Sequence, residues 1–382
     1  MHYIEVHTFI NQILSVFYRI GFWTREDEKS PIKLRIKWFY VIYHSMVVMS
    51  AGMASLQNEN KDDSILLIET ALVNAVLTVK LWLTMWKQRK ICELLEQICS
   101  FTVRDRETFE FVNGKLKKFI NLIKIFIWIV VSLATCEVMA PFVGEKKLFF
   151  NIALPFDWKK NDFNYLLANA YICSEIILAC LSILMTIVLW YIMFNCSLRY
   201  QVLGIHIKKM GSRLGEESKG TLDKKNVFRE DLSALIKDCL LTRKLVCDIE
   251  SFCSTIFFLE IGTSGLCICG SIYCLAFDVS EKTVGRMIHF SSLLYNVTGI
   301  FITTNFGNEI MLKSNRLSYY LFESDWIDQP QSTKMMIIIL AECLQQPHTI
   351  VIAKLYPLTL ETFVRILNFS YSTFNILKSF RM

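Results

Sequence analysis

The chain has 382 residues, 53% of them hydrophobic and 20% charged, with a mean hydropathy of +0.38. Several windows of about twenty mostly apolar residues match a hydrocarbon core of roughly 30 Å, so the composition argues against a soluble domain and for an all-α polytopic protein whose first partner is the lipid bilayer. The net charge of +6 comes without a block of Lys and Arg interleaved with aromatics, which excludes nucleic acid as a partner.

Residues 1–37 form a cytoplasmic amphipathic segment. Its start carries His2 and Glu5 and lacks the basic-then-apolar order of a signal peptide. Ile10, Ile13, Leu14 and Phe17 recur at helical spacing and predict a helix lying on the membrane or packed on the bundle. Six spans follow within 38–308, at 38–56, 65–85, 119–142, 168–195, 251–277 and 287–308. The long polar connection, 198–250, holds a glycine-rich loop between helices that extend from the neighbouring spans. Segment 309–357 is cytoplasmic; its apolar stretch 331–345 is too short to cross and packs on the bundle. The last helix, 358–377, begins the closing segment 358–382, and the whole chain reads as one seven-helix membrane domain.

Lys and Arg concentrate in the N-terminus and in the connections after spans two, four and six. That side is cytoplasmic by the positive-inside rule, which leaves the N-terminus inside and the C-terminus outside. This is opposite to a G-protein-coupled receptor. Asp105-Arg106 is similar to the acidic-Arg pair of those receptors but precedes the third span, where theirs follows it. No internal repeat of the kind common in transporters is visible. The thirteen cysteines lie mostly in apolar segments and read as buried thiols. No histidine pair, phosphate loop or nucleophile elbow points to an enzyme, a metal or a cofactor.

Charged and polar groups inside the spans carry the functional signal, because they are costly against lipid. Glu69, Glu137 and Glu175 lie near the outer ends of three spans, where they either border a ligand cavity or snorkel and pair locally. Lys80, Lys124 and Glu260 are further intramembrane charges with no partner assignable from sequence. Apolar and aromatic residues in the outer halves of spans two, three, four and six make a candidate cavity for a small lipophilic ligand: Leu72 and Val76, Thr135 and Met139, Tyr171 and Ile176, then Phe290, Leu294 and Tyr295. For any one of them ordinary core packing is the commoner explanation, as it is for most aromatic residues in a bundle. On the last helix Glu361, Arg365, Asn368, Ser372, Asn375 and Ser379 recur every three or four residues along one stripe. The stripe faces either a pore or neighbouring helices of the same subunit.

Several motifs resemble the insect odorant receptor family. They are Pro155-Phe156-Asp157-Trp158 in the second outer loop, Asn305-Phe306-Gly307-Asn308-Glu309 closing span six, Ser324-Asp325-Trp326, Gln345-Gln346-Pro347, and the final Pro357 to Phe363 and Ser370 to Lys378. The resemblance implies a tuning subunit that forms a tetrameric cation channel with a shared co-receptor and is opened by a small volatile odorant. It implies a ligand cavity among spans two, three, four and six, a cytoplasmic anchor region, and a pore lined by the seventh helix. Aligned on the co-receptor type, Phe374 and the Leu377–Lys378 pair fall at gate-like positions; the polar stripe instead selects Ser372 and Asn375, one residue out of register. Lys378 departs from what a cation pore would favour. The implied location is the plasma membrane of olfactory sensory neurons. A gustatory-type receptor channel and a G-protein-coupled receptor are the alternatives; the chain lacks the closing Gln-Phe of the former.

Overall fold

The computed structural model describes all residues except 1, 4–5, 25–30, 58–60, 100–101, 104, 140–147, 149–152, 211–220, 278–282 and 382. The described residues form ten helices: α1 (Thr8–Arg19), α2 (Pro31–Gln57), α3 (Lys61–Trp86), α4 (Gln88–Cys99), α5 (Arg106–Met139), α6 (Asp162–Lys208), α7 (Thr221–Ala276), α8 (Thr283–Phe322), α9 (Gln331–Gln345) and α10 (Leu360–Arg381). The seven expected spans coincide with parts of α2, α3, α5, α6, α7, α8 and α10. Among the described residues α2, α3, α5, α6 and α7 are long and apolar enough to cross a bilayer. The last helix, α10, carries the stripe of polar residues.

At 1.5 Å per residue, the 47 residues of α6 and the 56 of α7 reach about 70 and about 84 Å, far beyond a roughly 30 Å core. These helices therefore continue past the membrane, as the helical flanks of the 198–250 connection suggested. The glycine-rich stretch 211–220 lies outside the described residues. The projecting end of α8 packs with α9, which matches the short apolar stretch 331–345, and residues of α6 and α7 face the same space.

The helix expected near the N-terminus is α1, and it packs on the bundle. Ile10, Ile13 and Phe17 are buried in the main core, and the His7 amide donates to Tyr191 Oη at 3.2 Å. Trp190 and Tyr191 of α6 form the centre of that core, where Trp190 Nε1 donates to Thr303 Oγ1 of α8 at 2.9 Å. Inside a bilayer, close packing and such interhelical hydrogen bonds hold helices together, since lipid is as apolar as the core.

The Asp105-Arg106 pair has a structural explanation. Asp105 caps α5: the Thr108 amide and hydroxyl donate to its Oδ2 at 3.2 and 2.8 Å, and Lys209 Nζ lies 3.0 Å away. Arg106 pairs one helical turn on with Glu110 at 3.0 Å. Partial burial pushes the Asp105 carboxyl up, but the hydrogen bonds from Lys209 and Thr108 together outweigh it and hold the group at about 2. A depressed carboxyl contributes its stability above the unfolded value and loses it as pH falls through the folded one. The cap is therefore complete at neutral pH and fails between roughly pH 4 and 2. Asp105→Ala should cost about 1 kcal/mol, read as a lower melting temperature of the purified protein at pH 7 that converges with wild type towards pH 2.

A short hairpin leads into the last helix. Strands β1 (His2–Tyr3) and β2 (Thr102–Val103) pair near the N-terminus, while β3 (Val351–Ile352) and β4 (Tyr356–Pro357) form the hairpin. Its turn carries Ala353 and Lys354 at φ of 49° and 58°, and the Leu355 amide donates to the Ile352 carbonyl at 2.9 Å. Two successive left-handed residues make a turn of the mirror-image type that suits a twisted hairpin. The hairpin is tied to α7: the Val351 amide donates to Glu250 Oε1 at 3.2 Å and the Ala353 amide to Ser254 Oγ at 2.7 Å. Just after it, Leu358 lies against Gly307 of α8, where an added Cβ would stand 2.3 Å from the Leu358 carbonyl oxygen. The Asn305–Glu309 motif thus contains a residue whose lack of a side chain sets the distance between α8 and the base of α10.

Candidate functional site

A cavity of about 300 Å³ opens among α2, α3, α5, α6, α7 and α8. Its walls come from the portions of these helices nearest the α2–α3, α5–α6 and α7–α8 connections, the end of the bundle away from α4 and α9. From α3 come Glu69, Thr70, Val73, Asn74, Val76 and Leu77. α5 adds Val130, Leu133 and Ala134, and α6 adds Tyr171, Ile172, Glu175, Ile176 and Ile183. α7 contributes Glu260, Thr263, Ser264 and Cys267; α8 contributes Ser291, Ser292, Tyr295 and Asn296. The surface is mainly aliphatic with a few converging polar groups, the usual make-up of a small-molecule site. A narrower space of about 20 Å³, enough for roughly one water, continues from it past Glu260, Tyr295 and Asn296 to Phe126 and Trp190.

Of the residues singled out from sequence, Val76, Tyr171, Ile176 and Tyr295 line this cavity. Leu72 is half-buried on α3 outside the lining, and Thr135, Met139, Phe290 and Leu294 are exposed on the outside of the bundle. The difference is one of helical phase. On α8 the inward face is Ser291, Ser292, Tyr295 and Asn296, which turns the neighbouring Phe290 and Leu294 towards the surrounding solvent, here lipid. Large apolar side chains are stable there, while small and polar ones are stable only inside. Of the α7 wall only Glu260 stood out as an intramembrane charge; Thr263, Ser264 and Cys267 were missed, because the cysteines and small residues of that span look like ordinary packing.

The intramembrane charges fall into place around the cavity. Lys80 is buried, with its ammonium donating to Thr186 Oγ1 and to Glu260 Oε1, the latter at 3.2 Å. His44 Nδ1 lies 3.0 Å from Glu175 Oε2, both side chains buried. Glu69 lines the cavity with its Oε1 shielded and without a hydrogen-bond partner among the described residues. The side chain of Glu137 lies outside the described residues. Lys124 stands over the ring of Phe9 at 5.7 Å from its centroid.

The last helix presents a second candidate surface. Glu361, Arg365, Asn368, Ser372, Asn375 and Ser379 are all exposed, in one continuous stripe. Glu361 and Arg365 pair along it at 2.6 Å. The opposite face seats α10 on α7: Ser370 is buried and its Oγ donates to the Gly265 carbonyl at 2.9 Å. Phe374 is half-buried, its ring centroid 6.2 Å from that of Phe277. Of the gate-like positions, Leu377 and Lys378 are exposed with Ser372 and Asn375, while Phe374 turns towards its own subunit.

The 7tm odorant receptor family model matches residues 68–371. Odorant receptor 94a of Drosophila melanogaster is 24% identical over 312 residues, covering 80% of this chain and 76% of that protein. Odorant receptor 59a of the same fly is 25% identical over 370 residues, 89% of each. The insect olfactory receptor OR5 from Machilis hrabei superposes with a TM-score of 0.81 at 15% identity over 97% of both chains. Its structure in complex with eugenol gives 0.82 at 16% identity, over 97% of this chain and 98% of that one. The polytopic all-α bundle described above is thus a membrane receptor fold, and the family match extends over most of its length: the chain belongs to the 7tm odorant receptor family.

Proposed function

We propose that this chain is the odorant-tuning subunit of a non-selective cation channel, assembled with a shared co-receptor, in a tetramer, in the plasma membrane of olfactory sensory neurons. Its N-terminus is cytoplasmic and its C-terminus extracellular. Spans one to six lie within 38–308, residues 309–357 belong to a cytoplasmic anchor region, and 358–382 supply the pore-lining helix. Exposed apolar residues of that region, among them Ile338 and Ile339, and Leu240 on the nearby extension of α7 are suited to contact between subunits. The ligand is a small volatile molecule of the size that fits the 300 Å³ cavity.

One observation carries the reading. Ser264 and Cys267 of α7 line the cavity, and Gly265 between them accepts the hydrogen bond from Ser370 of α10. A ligand touching one face of that turn acts on the helix seated against the other. Binding that is tighter in the open arrangement than in the closed one shifts the population towards conduction, without a G protein. The exposed stripe of α10, in turn, faces the water of the pore.

Whole-cell current tests this directly. Cells expressing this chain with the insect co-receptor should show a rapid odorant-evoked cation current that needs both subunits and survives G-protein blockade; a current that vanishes with the blockade defeats the channel reading. Within the channel, Ser372→Cys and Asn375→Cys should become sensitive to a charged thiol reagent applied during odorant, losing more than half their current. Thr362→Cys, on the buried face, should not. Phe374→Ala should alter gating by loosening the Phe277 contact, seen as a changed odorant EC50 or leak current. An unchanged dose–response and leak would remove Phe374 from the gate.

A further inference from the structure

We infer that the ligand of this cavity is a small aliphatic amine, bound as its ammonium by Glu69. The inference rests on the reading of the cavity as the odorant site and adds the chemical class.

Three carboxylates line the cavity: Glu69, Glu175 and Glu260. Glu260 has the Lys80 ammonium at 3.2 Å, and Glu175 has the His44 ring at 3.0 Å. Glu69 has no such partner among the described residues, although its Oε1 is shielded from solvent. A buried carboxyl without donors is costly, and a bound cation with N–H groups relieves that cost most completely. Of the three carboxyls, Glu69 is the one with no basic side chain beside it among the described residues, and a ligand carrying one positive charge complements it.

The surroundings fit an ammonium on a short hydrocarbon. Tyr171 and Tyr295 supply aromatic faces on the cavity wall, which attract cations. Val73, Val76 and Leu133 supply the apolar remainder.

The position of Glu69 is itself prepared. Its carboxylate lies against Gly270 of α7 so closely that a Cβ there would stand 1.7 Å from Oε1. Any larger residue at 270 would swing the carboxylate away. Glycine at this position therefore keeps Glu69 between α3 and α7, on the wall of the cavity.

The experiment compares n-hexylamine, n-hexanol and methyl pentanoate, of similar size. Binding to the purified full-length chain in lipid nanodiscs is read by calorimetry, and current is read in cells carrying the co-receptor. The expected result is that hexylamine binds at least tenfold more tightly than the alcohol and the ester. Glu69→Gln should reduce the amine-to-alcohol affinity ratio at least tenfold, and Gly270→Ala should reduce it in the same direction. Equal affinities for the three ligands in the wild-type chain, or an unchanged ratio in a folded Glu69→Gln protein, overturn the inference. The two readouts keep it separate from the channel reading: amine binding without current defeats the latter alone, and alcohol- or ester-evoked current without amine preference defeats the former alone.

Discussion

Lys80→Ala should lower both the stability of the folded receptor and the amount that reaches the surface. The substitution leaves Glu260 and Thr186 facing a space from which the ammonium has gone, and breaking a buried ion pair from one side costs about 3–5 kcal/mol. Because the Glu260 side chain retains 26% exposure towards the cavity, the lower end, about 3 kcal/mol, is the expected size. Detergent-solubilised protein should melt on the order of 5 °C lower, with surface expression reduced in parallel. The double replacement Lys80→Met with Glu260→Gln removes both charges and should recover most of the loss. A single variant that melts with wild type would show that the pair does not hold α3 to α7.

Gly307→Val is the second large effect, and it acts on the junction between α8 and α10. Its Cβ would meet the backbone oxygen of Leu358 at 2.3 Å and that residue's side chain at 2.7 Å. A flexible side chain can turn aside; a carbonyl held in a tight turn cannot. The Leu358 amide is already committed to the Ile350 carbonyl at 2.7 Å, which fixes the segment. Overpacking of this kind costs about 1–3 kcal/mol and moves backbone. The expected outcome is impaired surface expression, or, in protein that does reach the membrane, altered odorant-evoked current. Gly114→Ala on the exposed face of α5, where an added Cβ meets nothing within 4 Å, serves as the control and should behave as wild type.

These two sites also show what the sequence makes readable. Apolar windows locate α2, α3, α5, α6 and α7, since hydropathy answers directly to bilayer thickness, but they stop short of where α5, α6 and α7 run on beyond it. The polar spacing on α10 is equally local, and the six residues of the stripe share one exposed face. Partnerships are not local. Lys80 and Glu260 are 180 positions apart, and nothing in either neighbourhood announces the other. Helical phase inside a membrane is hidden for a different reason: hydropathy marks the lipid-facing side as strongly as the core. Phe290 and Leu294 looked like cavity residues because they are large and apolar, while the inward positions are Ser291, Ser292 and Asn296. Polar and small residues within an apolar span are the better pointer to an interior face, and Glu69 and Glu175 followed that rule.

The hairpin before α10 has a consequence in leverage. Its tight turn and its bonds to Glu250 and Ser254 clamp one end of a helix of 22 residues, about 33 Å long. Beyond the Ser370–Gly265 seat, the far half of that helix presents Tyr371, Asn375, Ile376 and Lys378 unburied within its own subunit. A rod fixed at its base and free at its tip multiplies small rotations: a tilt of about 5° at the clamp displaces the tip by roughly 3 Å, on the scale of a dehydrated cation, from the length that 1.5 Å per residue implies. In the channel proposed above, sub-ångström adjustments where α7 meets a ligand would thereby become a stroke large enough to change the bore at the far end of α10.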